Sequence, residues 1–190
     1  APALQVCNSQ YISDSWSQQN VSMTIPVGID TDIFQPQQNI DEVLISIDNN
    51  TAPVVGSTLA YQLQGRYPIL PIEHNNLENV QVNKTQYYLN TNKIVTISLL
   101  EAMAAANITI SLKTNDTAQF IIDKETGILV NSINEFAGAI TFLEQHPELR
   151  KKISEQARQK IVQEHLVSNF INKWLLAFNM VKSSFYTPLN

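Results

Sequence analysis

Tyr87-Tyr-Leu89, Ser98-Leu-Leu-Glu-Ala-Met-Ala-Ala105 and Ile108-Thr-Ile-Ser-Leu112 follow one another with short gaps. The outer two are aromatic or β-branched runs of strand length. The middle one carries helix formers behind a hydroxyl residue suited to a helix start. Strand, helix and strand in succession predict one βαβ unit, and the rest of the chain repeats the alternation. Upstream, Glu42-Val-Leu-Ile-Ser-Ile47 is a compact β-rich run closed by Asp48-Asn49-Asn50, as expected of a buried parallel strand opening into a loop at its carboxyl end. A helix is predicted over Ser57 to Gln64, closed by Gly65, and a strand over Pro68 to Ile72. Downstream follow a short helix from Ala118 to Ile122 and a strand from Gly127 to Val130. The resulting class is α/β, a parallel sheet with helices on both faces.

The two ends of the chain read differently. Leu4 to Val6 is a short strand, and Ser9 to Trp16 a helix start with Tyr11, Ile12 and Trp16 on one face. Residues 28–36 are dense in turn formers and mark a boundary near residues 28–40. The last third is helical. Ser132 and Glu135 are spaced as a capping box, Pro147 suits a first turn, and Leu149, Ile153, Ala157 and Ile161 recur every four residues. A final helix from Val167 to Val181 carries Phe170, Ile171, Trp174, Leu175 and Phe178. It is apolar over a wide arc and should pack against something large.

Composition narrows the function. The 190 residues, 44% hydrophobic and 15% charged, suffice for one sizeable core. A net charge of -5 excludes a surface built to grip nucleic-acid phosphates. The basic residues gather only at Arg150, Lys151, Lys152, Arg158 and Lys160; at helical spacing these form a solvated face, with peripheral contact to anionic lipid as the other reading. Cys7 is the only cysteine, so neither an intrachain disulfide nor a cysteine-rich zinc site can form, and a cytoplasmic protein is expected. Five Asn-X-Ser/Thr tripeptides begin at Asn20, Asn49, Asn83, Asn107 and Asn115, and in a chain this rich in Asn they arise by chance. His74, His146 and His165 are dispersed without carboxylates at ligand spacing, which argues against zinc. No P-loop and no Gly-X-Ser-X-Gly elbow occurs.

Ser98-Leu-Leu-Glu-Ala-Met-Ala-Ala105 resembles the signature of the large retaining glycosyltransferase family with two facing Rossmann-like domains, the GT-B fold of group 1, or family 4. Its members read Leu-Glu-Ala-Met-Ala, a small residue and Gly. The neighbourhood agrees: Ile108-Thr-Ile110, Thr114-Asn-Asp-Thr117 and Phe120-Ile-Ile-Asp-Lys-Glu-Thr-Gly-Ile-Leu-Val130 resemble the family's strand, donor loop and glycine-containing turn. Val6-Cys-Asn-Ser-Gln-Tyr-Ile12 resembles the last amino-domain strand and helix, Ile25 to Phe34 the interdomain linker, and Pro147 to Arg150, Ala157-Arg158 and Trp174 the closing helices. The resemblance implies residues 1–27 as the end of an amino-terminal domain, 28–40 as linker, 41–165 as a Rossmann-like nucleotide-sugar-binding domain, and 166–190 as a helix packing toward the missing amino-terminal domain.

The implied activity is hexosyl transfer from a nucleotide-diphosphate sugar, without a metal or other cofactor, by a site that this half alone cannot complete. Glu101 would hold the ribose hydroxyls. Its competing role is purely local, since Ser98 and Glu101 also fit a capping box. The amides of Thr96, Ile97 and Ser98, at a helix start beyond the strand ends, would hold the diphosphate. Lys93 would add charge to it, and Asn115 and Asp116, read as a loop, would reach the donor sugar or phosphate. Three departures stand out. Lys93 replaces a family glutamate, Asp48-Asn-Asn-Thr-Ala-Pro53 stands where a basic pair is usual, and Ala106 replaces the final Gly. Two rivals follow: a binding or regulatory module that has lost the chemistry, and an unrelated doubly wound domain in which Glu101 is only a cap. Trp16, Trp174 and Phe178 read as core or partner packing ahead of a ligand platform, and uncovered apolar surface on the last helix would pair copies of the chain.

Overall fold

The computed structural model describes residues 4–8, 22–36, 44–48, 53–71 and 81–185. The helix expected over Ser9 to Trp16 lies outside them. The chain divides into two compact units, residues 31–162 and residues 1–30 with 163–190.

The larger unit is built on five parallel strands in the order β4-β3-β5-β6-β7: β3 Ile45–Asp48, β4 Ile69–Pro71, β5 Tyr87–Asn90, β6 Ile108–Leu112 and β7 Ile128–Val130. The helices are α1 Pro53–Leu63, α2 Ile97–Ala104, α3 Asn115–Phe120, α4 Glu135–Glu144 and α5 Pro147–Glu164. The α/β expectation therefore holds, with each predicted strand of this unit in place.

Strand alternation gives the sheet two faces of different chemistry. Ile45, Ile47, Tyr87, Leu89, Ile108, Ile110, Ile128 and Val130 form one apolar cluster with Leu59 and Leu63 of α1, Phe136, Ile140 and Leu143 of α4 and Ile153 of α5. The four-residue recurrence on α5 is accounted for here, because Ile153, Ala157 and Ile161 are fully buried. Burying each isoleucine contributes about 1.5–3 kcal/mol. The alternate strand positions are polar. Register aligns Ser46, Tyr88 and Thr109 in one row and Asp48, Asn90 and Ser111 in the next, at the carboxyl ends. Both rows are buried.

Several helix starts differ from the sequence reading. α1 begins at Pro53, not Ser57, in keeping with proline's fixed φ at a first helical position, and Gly65 beyond its end has φ +82°. α3 spans Asn115–Phe120, with Thr114 as N-cap in a capping box with Thr117. The Ser132 and Glu135 box does not form. α4 starts at Glu135 itself, whose carboxylate accepts the Asn131 N–H at 2.9 Å and the Ser132 hydroxyl at 3.1 Å. Asn107 is fully buried, its amide donating to the Val82 carbonyl, and the Asn83 amide is engaged with Ile33 and Gln35. Asn107 cannot carry a glycan in this fold.

The smaller unit pairs β1, Gln5–Cys7, with β2, Ser22–Thr24, in parallel. Ile29 then exchanges backbone hydrogen bonds with the start of α6, Val167–Phe185: its N–H donates to the His165 carbonyl and its carbonyl accepts from Val167. The His165 ring meets the Val27 carbonyl through Nδ1 at 2.9 Å. Gly28 is required by close approach, since a Cβ there would stand 2.6 Å from the Phe170 Cβ and 3.0 Å from the Val167 Cα. Trp174 packs between Phe170 and Phe178 at ring separations of 6.3 and 5.5 Å.

Candidate functional site

The strand order reverses between β3 and β5. β3 leads first to β4 on one side, and the chain then returns to place β5 on the other. A crevice at the carboxyl ends of such a pair is the favoured ligand position of an open α/β sheet. The residues at that edge are Asp48 on β3 and Asn90 on β5, both buried. The loop 91–96 follows, and α2 starts beyond it.

This loop is held from two sides. From β3, the Thr91 hydroxyl donates to the Asp48 carbonyl at 2.7 Å, and the Thr96 hydroxyl donates to Asp48 Oδ2 at 3.0 Å. The Tyr88 hydroxyl donates to the same Oδ2 at 2.6 Å. Burial, and then the Asp48 carboxylate, push the Tyr88 phenol well above its ordinary range, so Tyr88 serves here as a fixed donor. From α3, the Thr114 hydroxyl donates to the Lys93 carbonyl at 2.9 Å and Asp116 Oδ2 accepts the Val95 N–H at 2.6 Å. Asn90 bonds Ser111 Oγ at 3.0 Å and accepts the Asn92 N–H at 3.1 Å.

Thr96, not Ser98, is the N-cap of α2: its backbone is extended and its Oγ accepts the Leu99 N–H at 3.2 Å. The Leu100 N–H reaches the Thr96 carbonyl. The first-turn amides of Ile97 and Ser98 precede the first available intrahelical acceptor, and with the macrodipole they make this helix start favourable for negative charge. Moving the cap to Thr96 places Glu101 five positions into the helix. Ser98 is therefore not the N-cap, and Glu101 is not the third residue of a capping box. Six of the eight residues of α2 are buried: Ser98, Leu99, Leu100, Ala102, Met103 and Ala104. The remaining two, exposed Ile97 and half-buried Glu101, are four apart and share one face.

The other expected site residues fall as follows. Lys93 has an exposed side chain on the loop at the crevice. Asn115 and Asp116 are not in a loop but open α3; Asn115 is exposed, and Asp116 is engaged with Val95. Ala106, at the family's Gly position, lies at the opposite end of α2 from the crevice. It has φ +60° in a Schellman closure, with Ala106 N–H to Met103 and Asn107 N–H to Ala102. In this chain the position terminates the helix. The same end is held by α5, through the Ser154 hydroxyl on the Ala106 carbonyl at 2.6 Å and Arg158 on the Ala104 carbonyl. Asp48 is the residue that motif reading missed. Its one sequence signal was a carboxylate ending the first β-rich run of the sheet. Among the described residues, no three His, Cys, Asp or Glu side chains are grouped as metal ligands, and no helix is long and apolar enough to cross a membrane.

Known proteins share this architecture. Sucrose-phosphate synthase from Thermosynechococcus elongatus matches with a TM-score of 0.75 at 15% identity, over 95% of this chain and 59% of its own. Anabaena HepE, solved in complex with UDP and glucose, matches with a TM-score of 0.72 at 12% identity, over 94% of this chain and 62% of its own. The C-terminal domain of a group 1 family glycosyl transferase, LpcC from Francisella tularensis, is covered completely, at a TM-score of 0.56 and 17% identity over 74% of this chain. At such identities the likeness is one of fold, and the chain spans about three-fifths of the length of the first two. No curated protein matches it in sequence. The glycosyl transferase-like family model matches residues 71–175, which contain α2 and the loop before it. By that match, over more than half of its length, the chain belongs to the glycosyl transferase-like family.

Proposed function

We propose that this chain is the donor-binding half of a retaining GT-B hexosyltransferase, moving a sugar from a nucleotide-diphosphate donor to a sugar, lipid or protein acceptor. The observation that carries the reading is the accessible face of α2: Ile97 and Glu101 are what the helix leaves open, directly behind a capped start at the switch point. Glu101 accepts the ribose hydroxyls. The Ile97 and Ser98 amides, behind Thr96, stabilise the charge that develops on the departing diphosphate, which is electrostatic catalysis by donors already in place. Helix-start donors do this without a metal. Lys93 adds a mobile cation at the mouth, and Asn115 remains exposed for the donor sugar. HepE, of the same fold, is described in complex with UDP and glucose, which supports the choice of UDP as the first ligand to test.

On this reading residues 1–27 close an amino-terminal domain, 28–40 link it, 41–165 bind the donor in the cytoplasm, and 166–190 pack back toward the first domain. The acceptor contacts belong mostly to that domain. The chain alone should therefore bind UDP but transfer no sugar, because a crevice between two domains is not completed by one. Sugar transfer by this chain alone, followed with a radiolabelled UDP-sugar, contradicts the division of labour. A second reading, a nucleotide-sugar-binding module without turnover, is favoured by one feature: by the family resemblance, Asp48-Asn-Asn-Thr-Ala-Pro53 stands where a basic pair is usual and Lys93 where a glutamate is. A complete protein that binds donor and never turns it over would establish that reading.

A further inference from the structure

We propose that Asp48 is a positioning and affinity-setting residue of the donor site, one that aims the start of α2 through its acceptor oxygen and weakens diphosphate binding through its charge. The inference presupposes that a diphosphate sits at that helix start. It goes beyond that reading in assigning the loop's geometry to the strand edge.

The geometry comes first. One oxygen, Asp48 Oδ2, receives both the Tyr88 hydroxyl at 2.6 Å and the Thr96 hydroxyl at 3.0 Å. The same Thr96 Oγ accepts from Leu99 inside the helix. A single hydroxyl thus joins the strand edge to the first turn of α2, and the Asp48 carbonyl fixes Thr91 at the beginning of the same loop. Asp48 is buried, so these hydrogen bonds are made in a setting where they hold geometry tightly. Without the Asp48 side chain, Thr96 could still cap Leu99, but the hydrogen bond that joins the strand edge to the first turn of α2 would be lost.

The charge comes second. The Asp48 carboxylate lies one side-chain hydrogen bond from the N-cap. Negative charge there competes for the same helix-end potential that would hold a diphosphate. Asp116, on the Val95 N–H, adds to the same field. The position separates the two effects because Asn keeps a carbonyl oxygen able to accept both hydroxyls and removes the charge, whereas Ala removes both.

The test is calorimetric titration of UDP into the 190-residue chain and its variants. Asp48→Asn should bind UDP at least about threefold more tightly at low salt, with the gain shrinking as salt screens the charge. Asp48→Ala should bind about tenfold more weakly. Opposite signs from one position are not produced by a residue that only stabilises the fold. Should Asp48→Ala fail to fold, the Asp48→Asn titration at low and high salt decides, because a residue that only holds the loop gives no salt-dependent gain in affinity. Equal affinities throughout, or weakening by Asn and Ala alike, overturn the proposal and leave the donor site standing. Absence of UDP binding in both the parent and Asp48→Asn overturns the proposal together with the donor site.

Discussion

Ala106 is held at φ +60°, a left-handed conformation that costs an L-residue roughly 1–2 kcal/mol and glycine nothing sterically. Ala106→Gly removes that cost. It also frees the unfolded chain, which returns roughly 0.4–1 kcal/mol. The net expectation is stabilisation by about 0.5–1 kcal/mol, or a rise in Tm of about 1–4 °C for a chain of this size. Ala105, the preceding residue, has φ −75°, so Ala105→Gly gains nothing in the fold and should destabilise by about 0.5–1 kcal/mol. Urea unfolding of the two variants beside the parent reads both signs under one condition. α2 is eight residues long, about 12 Å from start to end, so Ala106→Gly should also leave UDP affinity unchanged. A neutral or destabilising Ala106→Gly refutes the assignment of this position to helix termination. A large change in UDP affinity at constant stability returns it to the ligand.

Gly127 is held by close approach, with a Cβ there standing 2.9 Å from both the Thr109 carbonyl oxygen and Ile121 Cγ2; Gly127→Ala should cost about 1–3 kcal/mol of overpacking, measured by urea unfolding, and a neutral result contradicts the packing. Gly28→Ala should disturb the smaller unit through Phe170 and Val167, so hydrogen exchange should accelerate in α6 and not in β5 or β6. The Asn131 N–H, followed by the Ser132 hydroxyl, holds the Glu135 carboxyl below its ordinary pKa. Its contribution is therefore present above the unfolded carboxyl pKa and is lost as pH falls through the lower folded value, and Glu135→Gln should flatten that part of the acid-unfolding profile. Burial first, then Glu144 for Tyr87 and Asp48 for Tyr88, raise both phenols. Stability from keeping them neutral is complete below the ordinary phenol pKa and is lost as pH rises through the raised values. Alkaline absorbance titration should accordingly show two tyrosines ionising only with unfolding, and Tyr88→Phe should remove one of them.

The sheet was readable in the sequence because every second strand residue packs into the apolar cluster, so the β-rich runs around Ile45 and Ile47 and around Ile108 and Ile110 stand out. α5 was readable from its four-residue recurrence. The starts of α5 at Pro147 and α6 at Val167 were readable too; those of α2 and α3 were not, because several hydroxyl residues near each can cap it and tertiary partners choose between them. Thr96 and Ser98 are both good caps, and Ser98 has a matching glutamate. Asp48, remote in sequence, takes Thr96 instead. Thr114 displaces the expected start of α3 by pairing with Thr117 and by reaching Lys93. The role of Asp48 is invisible from motifs because it depends on register. Only when β3 and β5 pair does Asp48 stand beside Asn90, with Tyr88 and Thr96 in reach.

Glu101 carries the central claim, and with Thr96 as the N-cap it is not the third residue of a capping box. Glu101→Gln replaces a charged acceptor with a neutral one on a face that the packed core does not use. Losing a hydrogen bond to a charged group costs about 1.5–3 kcal/mol, which is at least about tenfold in affinity. Titration of UDP into the parent and into Glu101→Gln should show that weakening, with nearly equal melting temperatures. Equal UDP affinity in the two proteins, or no UDP binding by the parent, would contradict a donor site on α2.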